Sequence, residues 1–189
     1  MTGIARDGGI GAGKLTYEDL VALPEDGRRY EILDGDLVMT PTPPTRHQVV
    51  VANLATALYG YVKERGLGRV LLAPTDLILD EHSVVQPDIL FIRAARRAII
   101  KRHAVVGAPD LVVEVMSAAT VERDRAAKPK LYARSGVEHY WIVDPDKNTL
   151  EAFLRDDGTY ANAGKHAGDV VVRLAPFVGC ALDLADVWD

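Results

Sequence analysis

Two acidic side chains stand in segments that are otherwise aliphatic. In Pro87-Asp88-Ile89-Leu90-Phe91-Ile92 a two-residue period puts Asp88 on the face of Leu90 and Ile92. In Leu111-Val112-Val113-Glu114-Val115-Met116 the same period puts Glu114 with Val112 and Met116. Both segments are apolar on both faces, as covered central strands are. A carboxylate in such surroundings costs several kcal/mol unless something compensates it, and a cation is the usual remedy. Two carboxylates converging from adjacent strands form a hard oxygen site suited to Mg²⁺ or Mn²⁺. The competing reading pairs each acid with an arginine or leaves it at a strand end facing water. Glu31, in Tyr30-Glu31-Ile32-Leu33, is a third acid in a strand, and an exposed hairpin position is its alternative. His47 falls in the first turn of a long helix, where it could face a bound anion or act as a surface or capping residue. Asp76 is a weaker candidate.

The elements that must position these residues follow from period and punctuation. Thr16, with Asp19 three residues on, caps a short helix over Tyr17 to Leu23. Arg28 to Leu33 and Asp36 to Met39 form a hairpin about Asp34-Gly35. After a Pro-rich connector a helix begins at Thr45. Its apolar stripe is Val50, Leu54, Leu58, Tyr61 and Val62, and Gly66 ends it. Three β-rich runs follow, Arg69 to Leu79, Val84 to Ile92 and Asp110 to Ser117, with a short basic helix over Ala94 to His103 between the last two. A polar linker then leads to a helix over Arg125 to Ser135, a strand over Val137 to Val143 and a hairpin strand over Leu150 to Leu154. The remainder reads as β and irregular structure. The fold class is α/β, an α+β mixed arrangement with one central sheet flanked by helices.

The 189 residues suit one domain over 14–189, behind a Gly-rich, aperiodic and flexible tail over 1–13. The Gly-Gly-Ile-Gly-Ala-Gly stretch has neither the preceding strand nor the ending of a phosphate loop. Cys180, the single cysteine, excludes an internal disulfide or a thiolate cluster and reads as a small buried hydrophobe in a reducing compartment. No segment has signal-peptide character or membrane-spanning length, so a soluble cytoplasmic protein without membrane association is expected. A net charge of -5 does not suit a protein that coats nucleic acid, and predicts weak, salt-sensitive DNA binding without a divalent metal. Two basic clusters could offset it locally: Arg93, Arg96, Arg97, Lys101 and Arg102 after the Asp88 strand, and Arg123, Arg125, Lys128, Lys130 and Arg134 after the Glu114 strand. Both are expected to rim the site and contact phosphates, against ordinary solvated helix faces. No helix-turn-helix, zinc finger or aromatic stacking platform is visible, and Tyr140-Trp141 reads as core.

Several motifs together carry a resemblance: Leu15-Thr16-Tyr17-Glu18-Asp19-Leu20, Tyr30-Glu31-Ile32-Leu33-Asp34-Gly35, His47, Gln86-Pro87-Asp88-Ile89-Leu90-Phe91, Val113-Glu114-Val115-Met116-Ser117 and Gly136-Val137-Glu138-His139-Tyr140-Trp141-Ile142-Val143-Asp144-Pro145. In this order they resemble the Uma-type restriction endonuclease family of bacteria, within the PD-(D/E)XK nuclease superfamily. The resemblance implies a restriction-endonuclease-like core, with Asp88 as the aspartate of the PD motif and Glu114 as the second acid. It places Glu31 and His47 by the metal site, where one or two Mg²⁺ ions would activate a water and stabilise the charged transition state. The superfamily lysine expected two residues after the second acid is Met116 here. The family resemblance supplies it instead from the following helix, at Lys128. Pro129 disfavours helical geometry at Lys128, so either that helix begins near Ala126 or Lys130 takes the role.

The resulting expectation is a Mg²⁺- or Mn²⁺-dependent DNA endonuclease with Asp88, Glu114 and Glu31 at the metal, joined by Lys128 and His47, and acting as a homodimer. The alternatives are a nuclease-fold protein that no longer cuts and serves as a binding or interaction module, and a metal-dependent hydrolase of small phosphorylated substrates.

Overall fold

The computed structural model describes residues 13–117 and 121–189, without the side chains of 121–124. The expected tail, the Gly-rich stretch within it, the polar linker after Ser117 and the Arg123 side chain thus fall largely or wholly outside the described residues.

Local chemistry sets the N-terminal elements. Asp19 accepts hydrogen bonds from the N–H and hydroxyl of Thr16 at 2.8 and 3.0 Å, opening helix α1 (Tyr17–Val21). Strands β1 (Arg29–Leu33) and β2 (Asp36–Thr40) pair through a turn whose residues Asp34 and Gly35 both have positive φ, 55° and 90°. That is the geometry that matches strand twist in a two-residue hairpin. Helix α2 (Thr45–Glu64) follows, with Gly66 just beyond its end at φ 62°.

Proline redirects the next two runs. Arg69 to Leu79 is two strands, β3 (Gly68–Leu72) and β4 (Asp76–Asp80), with Pro74 between them. Val84 to Ile92 is likewise β5 (Ser83–Val85) and β6 (Ile89–Arg93), parted by Pro87. Proline has no N–H for a ladder, and each break moves the chain from one sheet to another. The expected basic helix is only a 3-10 segment, Ala94–Ile99, followed by a short strand β7 (Ala104–Val106). Three residues are too few for a readable alternation. Strand β8 (Leu111–Val115), helix α3 (Val121–Arg134), and strands β9 (His139–Asp144), β10 (Thr149–Asp156) and β11 (Thr159–Ala167) come next. The chain closes with β12 (Val171–Val172), β13 (Leu182–Asp183) and α4 (Leu184–Trp188).

The fold is mixed α/β, but where one central sheet was expected there are two large ones. The first has six strands in the order β11-β10-β9-β8-β6-β3, and the second five in the order β2-β1-β5-β4-β7. In the six-stranded sheet β8 and β9 are parallel, and α3 is the crossover such a pair requires. One face of that sheet, with Ile89, Phe91, Val113 and Trp141, packs on Val50, Leu54 and Leu58 of α2 and on α4. The other face, with Leu90, Val112, Tyr140 and Ile142, packs on Leu131 and Tyr132 of α3 and on Leu77 and Val85 of the five-stranded sheet. Tyr140 and Trp141 are core residues, as expected. Cys180 is only half-buried, against the α2 side. Gly68 is obligatory, because a Cβ there would lie 2.0 Å from the Ile92 carbonyl oxygen. No helix among the described residues is long and apolar enough to cross a membrane.

The first basic cluster belongs to this scaffold and does not rim the proposed site. Asp110, almost fully buried before β8, accepts the Arg93 N–H at 2.8 Å and pairs with the Arg96 and Arg93 guanidinium groups at 3.0 and 3.6 Å. It lies four residues before Glu114, about 13 Å along the strand, so this charge lock sits at the opposite end of the sheet. Asp110→Ala should therefore lower stability by about 2–3 kcal/mol in denaturant titrations, since a buried N–H and two cations lose their acceptor. Arg97→Ala, which removes a side chain with no hydrogen bond or ion pair among the described residues, should stay within about 0.5 kcal/mol.

Candidate active site

The break at Pro87 that sends the chain between sheets also creates the site. It leaves Asp88 at the mouth of β6 and Gln86 at the exit of β5, where the ends of both sheets meet. The antiparallel register of β6 and β8 pairs Ile89 with Val113, so one residue further Asp88 comes opposite Glu114. Glu31 arrives from β1 of the other sheet, His47 from the first turn of α2, and Lys128 from α3. All five are buried: Glu31 is 1% exposed, Lys128 2%, Glu114 3%, His47 7% and Asp88 9%.

Lys128 holds the sheets together at this point. Its Nζ lies 2.9 Å from Glu114 Oε1 and 3.1 Å from Glu31 Oε1. The Tyr132 hydroxyl donates to the same Glu114 oxygen at 2.6 Å. Lys128 and Tyr132 are four residues apart and so share one face of α3. Burial, and then the charges of Glu114 and Glu31, push the Tyr132 phenol well above its ordinary range, which keeps it a proton donor. Glu31 also accepts the Gln86 N–H at 2.8 Å and the Thr40 hydroxyl at 3.3 Å.

Asp88 is held differently. Its Oδ2 accepts the Val115 N–H at 2.8 Å and lies 3.2 Å from His47 Nε2, while Oδ1 accepts no hydrogen bond among the described residues. Strict alternation would have turned Asp88 wholly toward α3. It precedes the ladder of β6, however, and its carboxylate also reaches the start of α2. In the tautomer that donates from Nε2 to Asp88, His47 Nδ1 is a buried acceptor with no partner among the described residues.

The donor set fits a small hard cation. No three His, Cys, Asp or Glu side chains among the described residues are gathered tightly enough to hold a metal by themselves. Mg²⁺ does not need such a cage, because it is commonly held by one or two carboxylates and completes its shell with water and substrate phosphate oxygens. A nearly buried carboxylate, one of whose oxygens has no partner among the described residues, next in register to a second acid, meets that requirement.

All five anticipated residues therefore meet at one place. Glu31 is fully buried and not on an exposed hairpin, and His47 faces a carboxylate. Asp76 lies further out, bonded to Tyr17 and Gln86 at 3.3 and 2.9 Å. The uncertainty over Pro129 resolves in a way not anticipated. The helix starts at Val121, Pro129 lies inside it, and Lys128 still faces the acids, whereas Lys130 is exposed. Of the second basic cluster, Arg125 pairs with Glu151 and Arg134 with Asp34. Tyr132 was missed. Its spacing of four from Lys128 was the available signal.

The profile of the Uma2 family, described as "Putative restriction endonuclease", matches residues 17–185. A crystal structure described as a putative nuclease belonging to DUF820 from Anabaena variabilis ATCC 29413 superposes with a TM-score of 0.76. It shares 19% identity, over 92% of this chain and 97% of that one, and so shows a common fold. Among proteins with curated functions, none matches this chain.

The shared oxygen of Glu114 makes Lys128 and Tyr132 energetically dependent on one another. Lys128→Met should destabilise by about 3–5 kcal/mol and Tyr132→Phe by about 1.5–3 kcal/mol. The double variant should depart from additivity by more than about 0.5 kcal/mol in a denaturation cycle. Additive losses would mean that the two donors act on Glu114 separately.

Proposed function

This chain belongs to the Uma2 family, and on that premise we propose that it is a metal-dependent endonuclease that hydrolyses DNA phosphodiester bonds. The observation that carries the reading is the meeting of Asp88 and Glu114 at one strand end, with Lys128 beside them and, among the described residues, no hydrogen bond to Asp88 Oδ1. Asp88 and Glu114 would hold Mg²⁺ or Mn²⁺, with Glu31 beside them. A divalent ion there supplies Lewis-acid stabilisation of the charge that builds on a phosphate oxygen.

The chain's own residues then have distinct tasks. The Lys128 ammonium, held between Glu31 and Glu114, would place its positive charge beside the acids, where it can offset the charge that builds on the phosphate. Tyr132 fixes the Glu114 carboxylate by its hydrogen bond. His47 orients Asp88 through Nε2, and its Nδ1, without a partner among the described residues, can take a hydrogen bond. In the hydrolysis, a water oxygen bonds to phosphorus, the bond from phosphorus to the leaving oxygen breaks, and the water's proton departs as that oxygen gains one.

One observation favours a second reading, a nuclease-fold binding module that does not cut. The Lys128 ammonium already bridges Glu31 and Glu114, and such pairing can be purely structural. The proposed homodimer, which would offer two sites to two strands, is tested by light scattering, where a monomer at micromolar concentration contradicts it.

Supercoiled DNA incubated with Mg²⁺ or Mn²⁺ should be cut, and a chelator should abolish cutting. Asp88→Asn and Glu114→Gln should each lower the rate at least about 100-fold while the fold persists by circular dichroism. Cleavage that survives either substitution contradicts the assignment. DNA retention without cleavage by the unaltered protein selects the second reading.

A further inference from the structure

On the flank of α3 away from Lys128, a cavity of about 360 Å³ opens between that helix and strands β9 to β11. Its volume is in the range of small-molecule sites. Tyr140, Phe153 and Tyr160 line it as an aromatic cluster. Tyr140 lies 5.4 Å from Tyr160 and 6.0 Å from Phe153 between ring centroids, each pair inclined by 29°. Tyr140 is buried, but Phe153 and Tyr160 are only half so. The Tyr160 hydroxyl is tied to the Val137 carbonyl at 2.9 Å, which fixes the ring. An aromatic platform was not legible in the sequence, because its members come from three strands.

The mouth of the cavity is cationic. Arg125 is held there by Glu151 at 2.7 Å. Lys130 is exposed and makes no hydrogen bond or ion pair among the described residues. An aliphatic ligand would leave the Lys130 ammonium unused, and a bare phosphate would have no use for the rings. A planar π-system carrying an anion uses both.

The position relative to Glu114 is equally specific. Ile142 lines the cavity and is also the register partner of Glu114, so cavity and acid are one strand apart, about 5 Å. Lys128 and Lys130 lie on the same turn of α3. We propose that this cavity is a nucleobase subsite, which takes one unstacked base of a nucleic acid strand with that nucleotide's phosphate against Lys130 and Arg125. The inference rests on the nuclease reading and narrows its substrate. Duplex bases are stacked and cannot enter, so a single-stranded or locally unpaired strand is the form that fills the subsite.

Binding to the full chain is measured by calorimetry in chelator, with deoxyadenosine 5′-monophosphate, inorganic phosphate and a short single-stranded oligonucleotide as probes. The mononucleotide should bind at least about tenfold tighter than phosphate, the size of one base–aromatic contact, and the oligonucleotide should compete with it. Ala126→Trp, at an exposed position on the rim, and Lys130→Ala should each weaken both ligands about tenfold with an unchanged melting temperature. Equal affinity for phosphate and mononucleotide, no mononucleotide binding, or mononucleotide binding without competition from the strand each overturns the proposal. The parent reading fails separately. Glu114→Gln should lose cleavage and keep mononucleotide binding, whereas cleavage with an unchanged KM for single strands in Ala126→Trp removes the subsite alone.

Discussion

The structure depends on one buried ammonium. Lys128 is the point at which the five-stranded sheet, through Glu31, and the six-stranded sheet, through Glu114, are joined by a helix that belongs to neither. Two buried carboxylates from separate sheets would repel one another across a low-dielectric gap, and neither sheet could be closed on the other without a cation between them. That constraint explains why α3 tolerates Pro129 in its interior, at a cost of about 3 kcal/mol to an ordinary helix. The helix is retained by the ion pairs of Lys128 and by burial of Leu131, Tyr132 and Ala133.

The same arrangement separates two kinds of acid. Glu31 and Glu114 are engaged by a cation and by fixed donors. Asp88 has a single imidazole and a backbone N–H on one oxygen and, among the described residues, nothing on the other. A site built in this way is asymmetric. One side is already organised, and the other is open to a ligand that brings positive charge. The proposed metal reading rests on that asymmetry, which the charge lock of Asp110 with Arg93 and Arg96 at the far end of β8 does not have.

Legibility in the sequence followed locality. The hairpin about Asp34-Gly35, the capped α1 and the long α2 could be read because each is fixed by neighbours a few residues away. Asp88 and Glu114 were conspicuous because charge is rare in covered strands. The division into two sheets was not readable, since Pro74 and Pro87 mark breaks but say nothing of where the chain goes next. The burial of Glu31 depends on a sheet packed against it by residues distant in sequence. Lys128 entered only through the family resemblance, because nothing local distinguishes it from Lys130. The first basic cluster was misplaced for a related reason: adjacency in sequence to Asp88 became, after five residues of extended strand, the opposite end of the sheet.

The most direct measurement is anomalous diffraction from crystals soaked in Mn²⁺. The account predicts one strong peak in contact with Asp88 Oδ1 and the Glu114 carboxylate, with Lys128 retained beside it. Full occupancy elsewhere with these two acids left empty, or no peak at millimolar Mn²⁺, would contradict it.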